Sequence, residues 1–418
     1  YELEAPAVLS LAYPREAEET GAGTIEVWTA ADLVDDLREN DKRFGQPGSP
    51  TRVLAVRDVT PERAGEIVGS VDEAAKRLQV LLSERRVKPS SWDKPEHIAE
   101  KPGKRYDCWT FVEPVDGRPA RVSLELIGKG RELAGKLGGE NIALVLGHDV
   151  DAIPGEAARY GADRVVVVDD ERLAEYHPEL WSHALRSVIE QARPHVLLFP
   201  ATSMGRELGP RVAGELELGM TGDCVGIDIA KAGRLLQTKP AYGGNIASVI
   251  MGRTTPQLAT VRPRMFEPLE PRDAEPRIER IEVGALPESR ARFVDRTEAR
   301  AWDLDEADVV VCIGSDGNLL PDLPDGVAVG GTREVCEAGV LPRNRQLGLF
   351  GRPVAPRLLV AVGVTGDFEH TTGFVKANVI AAINRHRNAE MLQAADIGLV
   401  GDPDTLLRPL LEAVLPAL

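Results

Sequence analysis

Cysteine is scarce in this 418-residue sequence: Cys108, Cys224, Cys312 and Cys336 lie far apart and form no C-x-x-C pair. That argues against a zinc or iron–sulfur centre and for a reducing compartment. The seven histidines show no H-E-x-x-H or comparable metal spacing. No apolar run reaches the ~18 residues of a membrane-spanning helix, so direct membrane insertion is not expected. Positive charge is short as well. Fifty Lys and Arg against 66 Asp and Glu leave a net −16, the wrong sign for binding nucleic acid or an anionic membrane surface. There is no G-x-S-x-G elbow, no catalytic dyad, and no G-x-G-x-x-G at a strand–helix turn, which excludes the nucleophile elbow and the standard dinucleotide fingerprint. These absences favour a protein whose cofactor carries the chemistry. No signal peptide is visible after Tyr1, and a cytoplasmic protein is the expectation.

What is present is a repeated strand–turn rhythm. Over 309–418 short apolar strands each end in a polar, Gly-rich turn. The clearest is Leu358-Leu359-Val360-Ala361-Val362 running into Gly363-Val364-Thr365-Gly366. Continuous β-rich runs of this kind are buried parallel strands, and ligands of open α/β sheets sit at their carboxyl ends. The other strands are expected at 309–313, 327–329, 379–383 and 398–400. A last helix starts at Asp402-Pro403, with its apolar face on Leu406, Leu407, Leu410, Leu411, Val414 and Leu415. Residues 106–270 alternate too: helices over 124–137 and 183–192, strands over 142–146, 164–168 and 196–199. Four closely spaced strands at 225–229, 235–238, 247–251 and 257–261 suggest an antiparallel extension. Pro-rich 268–276 reads as a hinge. Residues 1–105 are poorly periodic. They hold a strand at 25–28, a helix start at Thr29 and one amphipathic helix over 71–85, with a Pro-rich linker over 88–104. A helix without its own sheet needs a partner face elsewhere in the molecule.

The turns after the C-terminal strands carry Ser315, Asp316, Thr332, Arg333, Thr365, His370, Asn384 and Asp402. Gly-rich turns with hydroxyls and backbone N–H groups make anion nests suited to a pyrophosphate. Asp402 fits a ribose contact or a plain helix cap.

The motifs in order carry a family resemblance. They are Val329-Gly330-Gly331-Thr332-Arg333, Gln346-Leu347-Gly348, Gly351-Arg352-Pro353-Val354-Ala355-Pro356 and Gly363-Val364-Thr365-Gly366-Asp367-Phe368-Glu369-His370. Ala382-Ile383-Asn384 and Ala395-Asp396-Ile397-Gly398-Leu399-Val400-Gly401-Asp402 follow. The stretch resembles the FAD domain of electron transfer flavoprotein α subunits (FixB-like proteins). Pro200-Ala201-Thr202-Ser203, Gly219-Met220-Thr221-Gly222-Asp223-Cys224 and Lys239-Pro240-Ala241-Tyr242-Gly243-Gly244-Asn245 resemble that family's first α domain. Glu4-Ala5-Pro6-Ala7-Val8-Leu9-Ser10, Val27-Trp28-Thr29-Ala30-Ala31-Asp32-Leu33 and Gly48-Ser49-Pro50-Thr51 resemble the C-terminal part of its β subunit.

The resemblance implies an α/β fold with two doubly wound parallel-sheet domains. An adenine nucleotide α hydrolase-like domain would span 106–277 and a Rossmann-like FAD domain 278–418, preceded by a β-subunit-derived arm and linker over 1–105. It implies electron transfer through FAD, with AMP or a second FAD belonging to the absent part of β. The implied partners are a β-type domain or chain, a dehydrogenase donor, and a quinone-oxidoreductase or ferredoxin-type acceptor. A flavin-free descendant that binds an adenine nucleotide or serves as a scaffold is the other reading. The residues implied at FAD are Thr332, Arg333, Leu347, Gly348, Leu349, Phe350, Thr365, Gly366, Asp367, Phe368, Glu369, His370, Asn384 and Asp402. Of these, Thr332 would meet the phosphates and Arg333 would lie against the flavin ring. His370 would sit near flavin O2, while Asn384 and Asp402 would reach the diphosphate and the adenosine ribose. The chain departs from the family where Asp316 replaces a cation and Leu349-Phe350 replaces a Gln-Thr pair.

Overall fold

The computed structural model describes residues 49, 51–58, 63–85, 91–98, 106–241, 246–289, 294, 304, 307–315, 323–348, 351–371 and 373–418. The expected strand at 25–28 and helix start at Thr29, together with Asp316, Leu349, Phe350 and the side chain of Phe368, lie outside them. Pro50–Leu418 form one compact unit.

Within it, the first sheet has seven parallel strands: β3 (Cys108–Val112), β6 (Asn141–Gly147), β7 (Arg164–Asp169), β8 (Val196–Pro200), β9 (Met220–Cys224), β13 (Gln257–Val261) and β14 (Ile278–Arg280). Their order is β14-β7-β6-β3-β8-β13-β9. A two-strand hairpin, β4 (Pro114–Val115) and β5 (Arg118–Pro119), follows β3. Alternate residues of the strands face opposite ways, so each face takes its own helices. Trp109, Phe111, Leu144, Val166 and Phe199 pack on helices α4 (Pro178–Ala192) and α5 (Ser203–Glu215). Cys108, Ala143, Val145, Val165 and Leu198 pack on the other face, under α2 (Arg121–Leu137) and α3 (Ala152–Arg159).

Gln257–Val261 corrects one expectation. The strand is not part of an antiparallel extension but lies between β8 and β9, parallel to both. All five of its residues are buried, and Gln257 Oε1 accepts from Leu235 N–H at 2.8 Å. The close spacing in sequence reflects an excursion through β10 (Gly226–Ile229), β11 (Leu235–Ala241) and β12 (Ile246–Gly252) that returns the chain to the same sheet. Those three do form an antiparallel sheet, and its fourth member is β1 (Thr51–Asp58), in the order β1-β12-β11-β10.

The segment read as a hinge, 268–276, makes contacts of its own. Leu269 is buried, Trp92 Nε1 donates to Glu270 O, and the Arg272 guanidinium stacks over the Trp92 ring 4.8 Å from its centroid. Beyond it β14 pairs with β7, and Val283 joins the first core. The first sheet and its core therefore take in residues beyond 277. A run of prolines marks an irregular path, and here Leu269 anchors it while residues 270–275 stay exposed.

The second sheet is also wholly parallel: β16 (Val327–Gly331), β15 (Val309–Ile313), β17 (Leu358–Val362), β18 (Val379–Asn384), β19 (Ile397–Val400) and β2 (Glu66–Val68), in that order. Its last strand comes from the start of the chain. Helix α1 (Val71–Glu84) follows β2 and packs beside α9 (Pro403–Val414) on one face. Ser70 caps α1 by accepting from Glu73 N–H, while the Glu73 carboxylate accepts from Gly69 N–H. The helix buries Ala74, Ala75, Leu78 and Leu82, and each leucine contributes about 1.5–3 kcal/mol. The segment lacking its own sheet thus completes another.

Asp396 fastens this joint. It is 1 % exposed, and it accepts from Arg63 at 2.5 Å, Arg85 at 2.8 Å and Ile380 N–H at 2.9 Å. Arg63 further donates to the carbonyls of Val375 and Ala377. Burial lowers the Arg63 pKa, and Asp396 offsets this only in part. Asp396→Asn would leave Arg63 buried without its counter-charge, a loss of about 3 kcal/mol or more. Urea unfolding should show that loss with the transition slope unchanged.

A second buried carboxylate, Glu125 on α2, lies where the two domains meet. It accepts from Arg264 N–H at 2.8 Å, and Arg264 reaches across to Asp308, next to β15, at 2.5 Å. Burial pushes the Glu125 carboxyl up to about 7, with the Arg264 N–H and Arg121 only partly opposing it. The folded protein therefore holds this proton at a pH where the unfolded chain has released it. The group's contribution is greatest below the unfolded value of ~4.3 and declines as pH rises toward 7, by about 3 kcal/mol in total. Unfolding free energies at about pH 5 and pH 8 should fall less for Glu125→Gln than for the native sequence.

Candidate functional site

In a parallel sheet every strand delivers its carboxyl end to the same edge. From β15 the chain moves outward to β16 and then returns to the other side for β17. The reversal makes the β15/β17 gap the topological switch point, where a crevice opens. The two turns there meet backbone to backbone. Gly314 N–H donates to Val362 O at 2.8 Å, and an added Cβ on Gly314 would collide with the Gly363 carbonyl. Gly363 itself has φ +63°, a conformation that glycine adopts without strain.

After β16 comes Thr332, 1 % exposed, capping the short helix α6 (Arg333–Glu337). Its Oγ1 is buried and has no hydrogen-bond partner among the described residues. Burial disfavours the Glu334 charge, but Thr332, a backbone N–H and His370 together hold its pKa below the usual range. Arg333 points outward and donates to Glu337 at 2.7 Å, which raises its pKa.

After β17 the loop 363–367 leads into α7 (Phe368–Thr371). Thr365 Oγ1 donates to Asp367 Oδ2 at 2.7 Å and lies 3.2 Å from His370 Nδ1. His370 is largely buried, and its Nε2 lies 3.2 Å from Glu334 Oε2. Thr332, Glu334, Thr365, Asp367 and His370 are thus one connected group spanning the ends of β16 and β17. Asn384 ends β18, with Nδ2 donating to Val364 O at 3.1 Å and Oδ1 accepting from His386 N–H at 2.8 Å. Its side chain holds the β17 loop in place. Asp402, after β19, caps α9 by accepting from Asp404 N–H and also takes Arg385 Nη2 at 2.8 Å, which lowers its pKa.

Leu347 does not join this group. It is buried in the core with its side chain against Gly330. Gly348 packs on the Glu369 carbonyl, so it shapes the loop from behind. Asp367 and Glu369 add exposed carboxylates. Sequence reasoning passed over Glu334. Its position within one helical turn of Thr332 was the available signal, because α6 begins at Arg333 and aims that turn at the β17 loop.

A family model described as electron transfer flavoprotein domain matches residues 108–286, and one described as electron transfer flavoprotein FAD-binding domain matches 303–375. Protein FixB of Clostridium saccharobutylicum is 36% identical over 316 residues, covering 72% of this chain and 94% of that protein. This chain belongs to the electron transfer flavoprotein family. The electron transfer flavoprotein subunit alpha of Clostridium acetobutylicum is 35% identical over 322 residues, 73% of this chain and 96% of its own length. The acryloyl-CoA reductase electron transfer subunit beta of Anaerotignum propionicum is 30% identical over 352 residues, 74% and 95% of the two chains. The FAD-binding match falls on the sheet whose carboxyl edge has just been described. Among the described residues no helix is long and apolar enough to cross a membrane.

The residues at that edge suit the cofactor of an electron transfer flavoprotein. A buried hydroxyl without a geometric partner, an imidazole and glycine-lined backbone stand side by side. Gly366 is constrained twice: its φ is +104°, and an added Cβ would collide with the backbone of Met391. Gly366→Ala should strain the loop by about 1–3 kcal/mol. The variant should show a lower thermal midpoint and less FAD per chain by absorbance.

Proposed function

We propose that FAD lies along the carboxyl edge of the second sheet and relays electrons from a dehydrogenase to a quinone-oxidoreductase or ferredoxin-type acceptor. From β16 to β19 that edge crosses four strand spacings, roughly 19 Å, enough for an extended dinucleotide. In this reading the Gly363–Asp367 turn and Thr332 take the diphosphate, with Asn384 keeping the turn in shape. Asp402 takes the adenosine ribose with its remaining acceptor capacity. Arg333 and His370 lie toward the isoalloxazine, where positive or proton-donating groups stabilise charge gained on reduction. Bound FAD supplies the redox chemistry, and the side chains bind and orient it and tune its surroundings. The observation that carries the reading is the junction of Thr332, Thr365 and His370 at the switch point, where the backbone approaches most closely.

The partner we infer is a β-type domain or chain, with AMP or a second FAD belonging to that part. The name of the Anaerotignum relative, an electron transfer subunit of a reductase, supports work in a larger complex. Residues 1–105, a β-subunit-derived arm with its linker, are proposed to derive from such a β chain. In support, β1, β2 and α1 each complete a layer built by later residues rather than forming a core of their own.

The purified protein should be yellow and release one FAD per chain on denaturation. Stripped protein should regain one equivalent in a fluorescence titration. A colourless protein that takes up no FAD would instead favour the flavin-free reading.

A further inference from the structure

His370 and Thr332 are the two groups best placed to meet an anionic cofactor, and a carboxylate already stands against the first. Glu334 Oε2 lies 3.2 Å from His370 Nε2, and the Thr332 hydroxyl is among the influences that stabilise the Glu334 charge. His370 cannot turn away readily. Its side chain is 10% exposed, and its other nitrogen lies 3.2 Å from Thr365 Oγ1, with Asp367 Oδ2 at 3.9 Å. Glu334 differs, with a side chain 55% exposed and at the start of a five-residue helix. It can swing into solvent.

We propose that Glu334 is an internal competitor for the FAD site, a positioning residue whose carboxylate engages His370 until the cofactor displaces it. The proposal rests on the preceding reading that His370 and Thr332 face FAD. The physical argument is one of charge. FAD brings a diphosphate and, once reduced, a ring of increased negative charge. A fixed carboxylate beside His370 repels the first and opposes the second. It also stands against the imidazole nitrogen that would otherwise meet the flavin. A chain with such a residue binds FAD more weakly, and holds it at a lower potential, than the same chain with a neutral amide there.

Four full-length proteins distinguish the outcomes: the native sequence, Glu334→Gln, Glu334→Asp and Glu334→Gln combined with His370→Ala. Each is stripped of flavin, titrated with FAD by fluorescence, and its midpoint potential is measured against a reference dye. Glu334→Gln should bind FAD up to about fivefold more tightly, the factor matching the upper end for an exposed ion pair. Its midpoint should be more positive. Glu334→Asp, which keeps the charge, should stay near the native affinity, and the gain should vanish in the double variant because it acts through His370. Unchanged or weaker binding by Glu334→Gln, with weakened binding in the double variant, would overturn the competitor role and leave the site assignment standing. If both variants bind as the native chain does and at the same potential, the site assignment falls as well. Uptake of FAD by Glu334→Gln alone would be the strongest support, and uptake by none of the four would remove both.

Discussion

The structure depends on one constraint: two backbones must touch at the reversal point of a parallel sheet. Between β15 and β17 the Gly314 amide bonds to Val362, and no side chain fits between Gly314 and the Gly363 carbonyl. Because the six strands run the same way, this contact brings the ends of all of them to one edge. Thr332, the Thr365–His370 loop, Asn384 and Asp402 are separated by tens of residues in sequence yet share that edge. The Asn384 side chain then links the β18 end to the β17 loop through Val364 O. What binds there meets backbone N–H groups, one buried hydroxyl and one imidazole, with carboxylates around them.

The second constraint is non-local. The C-terminal sheet is finished by β2 and covered by α1, both from the first fifth of the chain, and Asp396 ties them down with two arginines. β1, just upstream, belongs instead to the antiparallel sheet, paired with β12. Asp58 and Arg63 are therefore parts of different layers joined by five residue steps, at most about 18 Å of chain. Any movement of the FAD-binding domain carries residues 63–85 with it and is limited by that short connection. The Arg264–Asp308 pair bridges the two domains on another side.

Much of this was legible in the sequence, and for a physical reason. Buried parallel strands read as unbroken apolar runs, so β15, β17 and β18 stood out, and the Asp402-Pro403 start of α9 followed from capping chemistry alone. The ordered motifs pointed to the family and to FAD. What failed was whatever depends on partners distant in sequence. Gln257–Val261 has the same composition as an antiparallel strand, and only its neighbours β8 and β9 make it parallel. The prolines at 268–276 signal irregular backbone but cannot say that Leu269 packs down. Leu347 sat within a family motif, yet its side chain fills the core. Glu334 was passed over because nothing in its local sequence reveals a histidine thirty-six residues later.

The central claim is that FAD lies across the β15/β17 switch point. A crystal structure of the full chain with FAD tests it most directly. The account predicts diphosphate density against the Gly363–Asp367 turn and Thr332, the adenosine toward Asp402, and the ring beside Arg333 and His370. Diphosphate density anywhere else, or a ring placed at the Asp402 end, would contradict it.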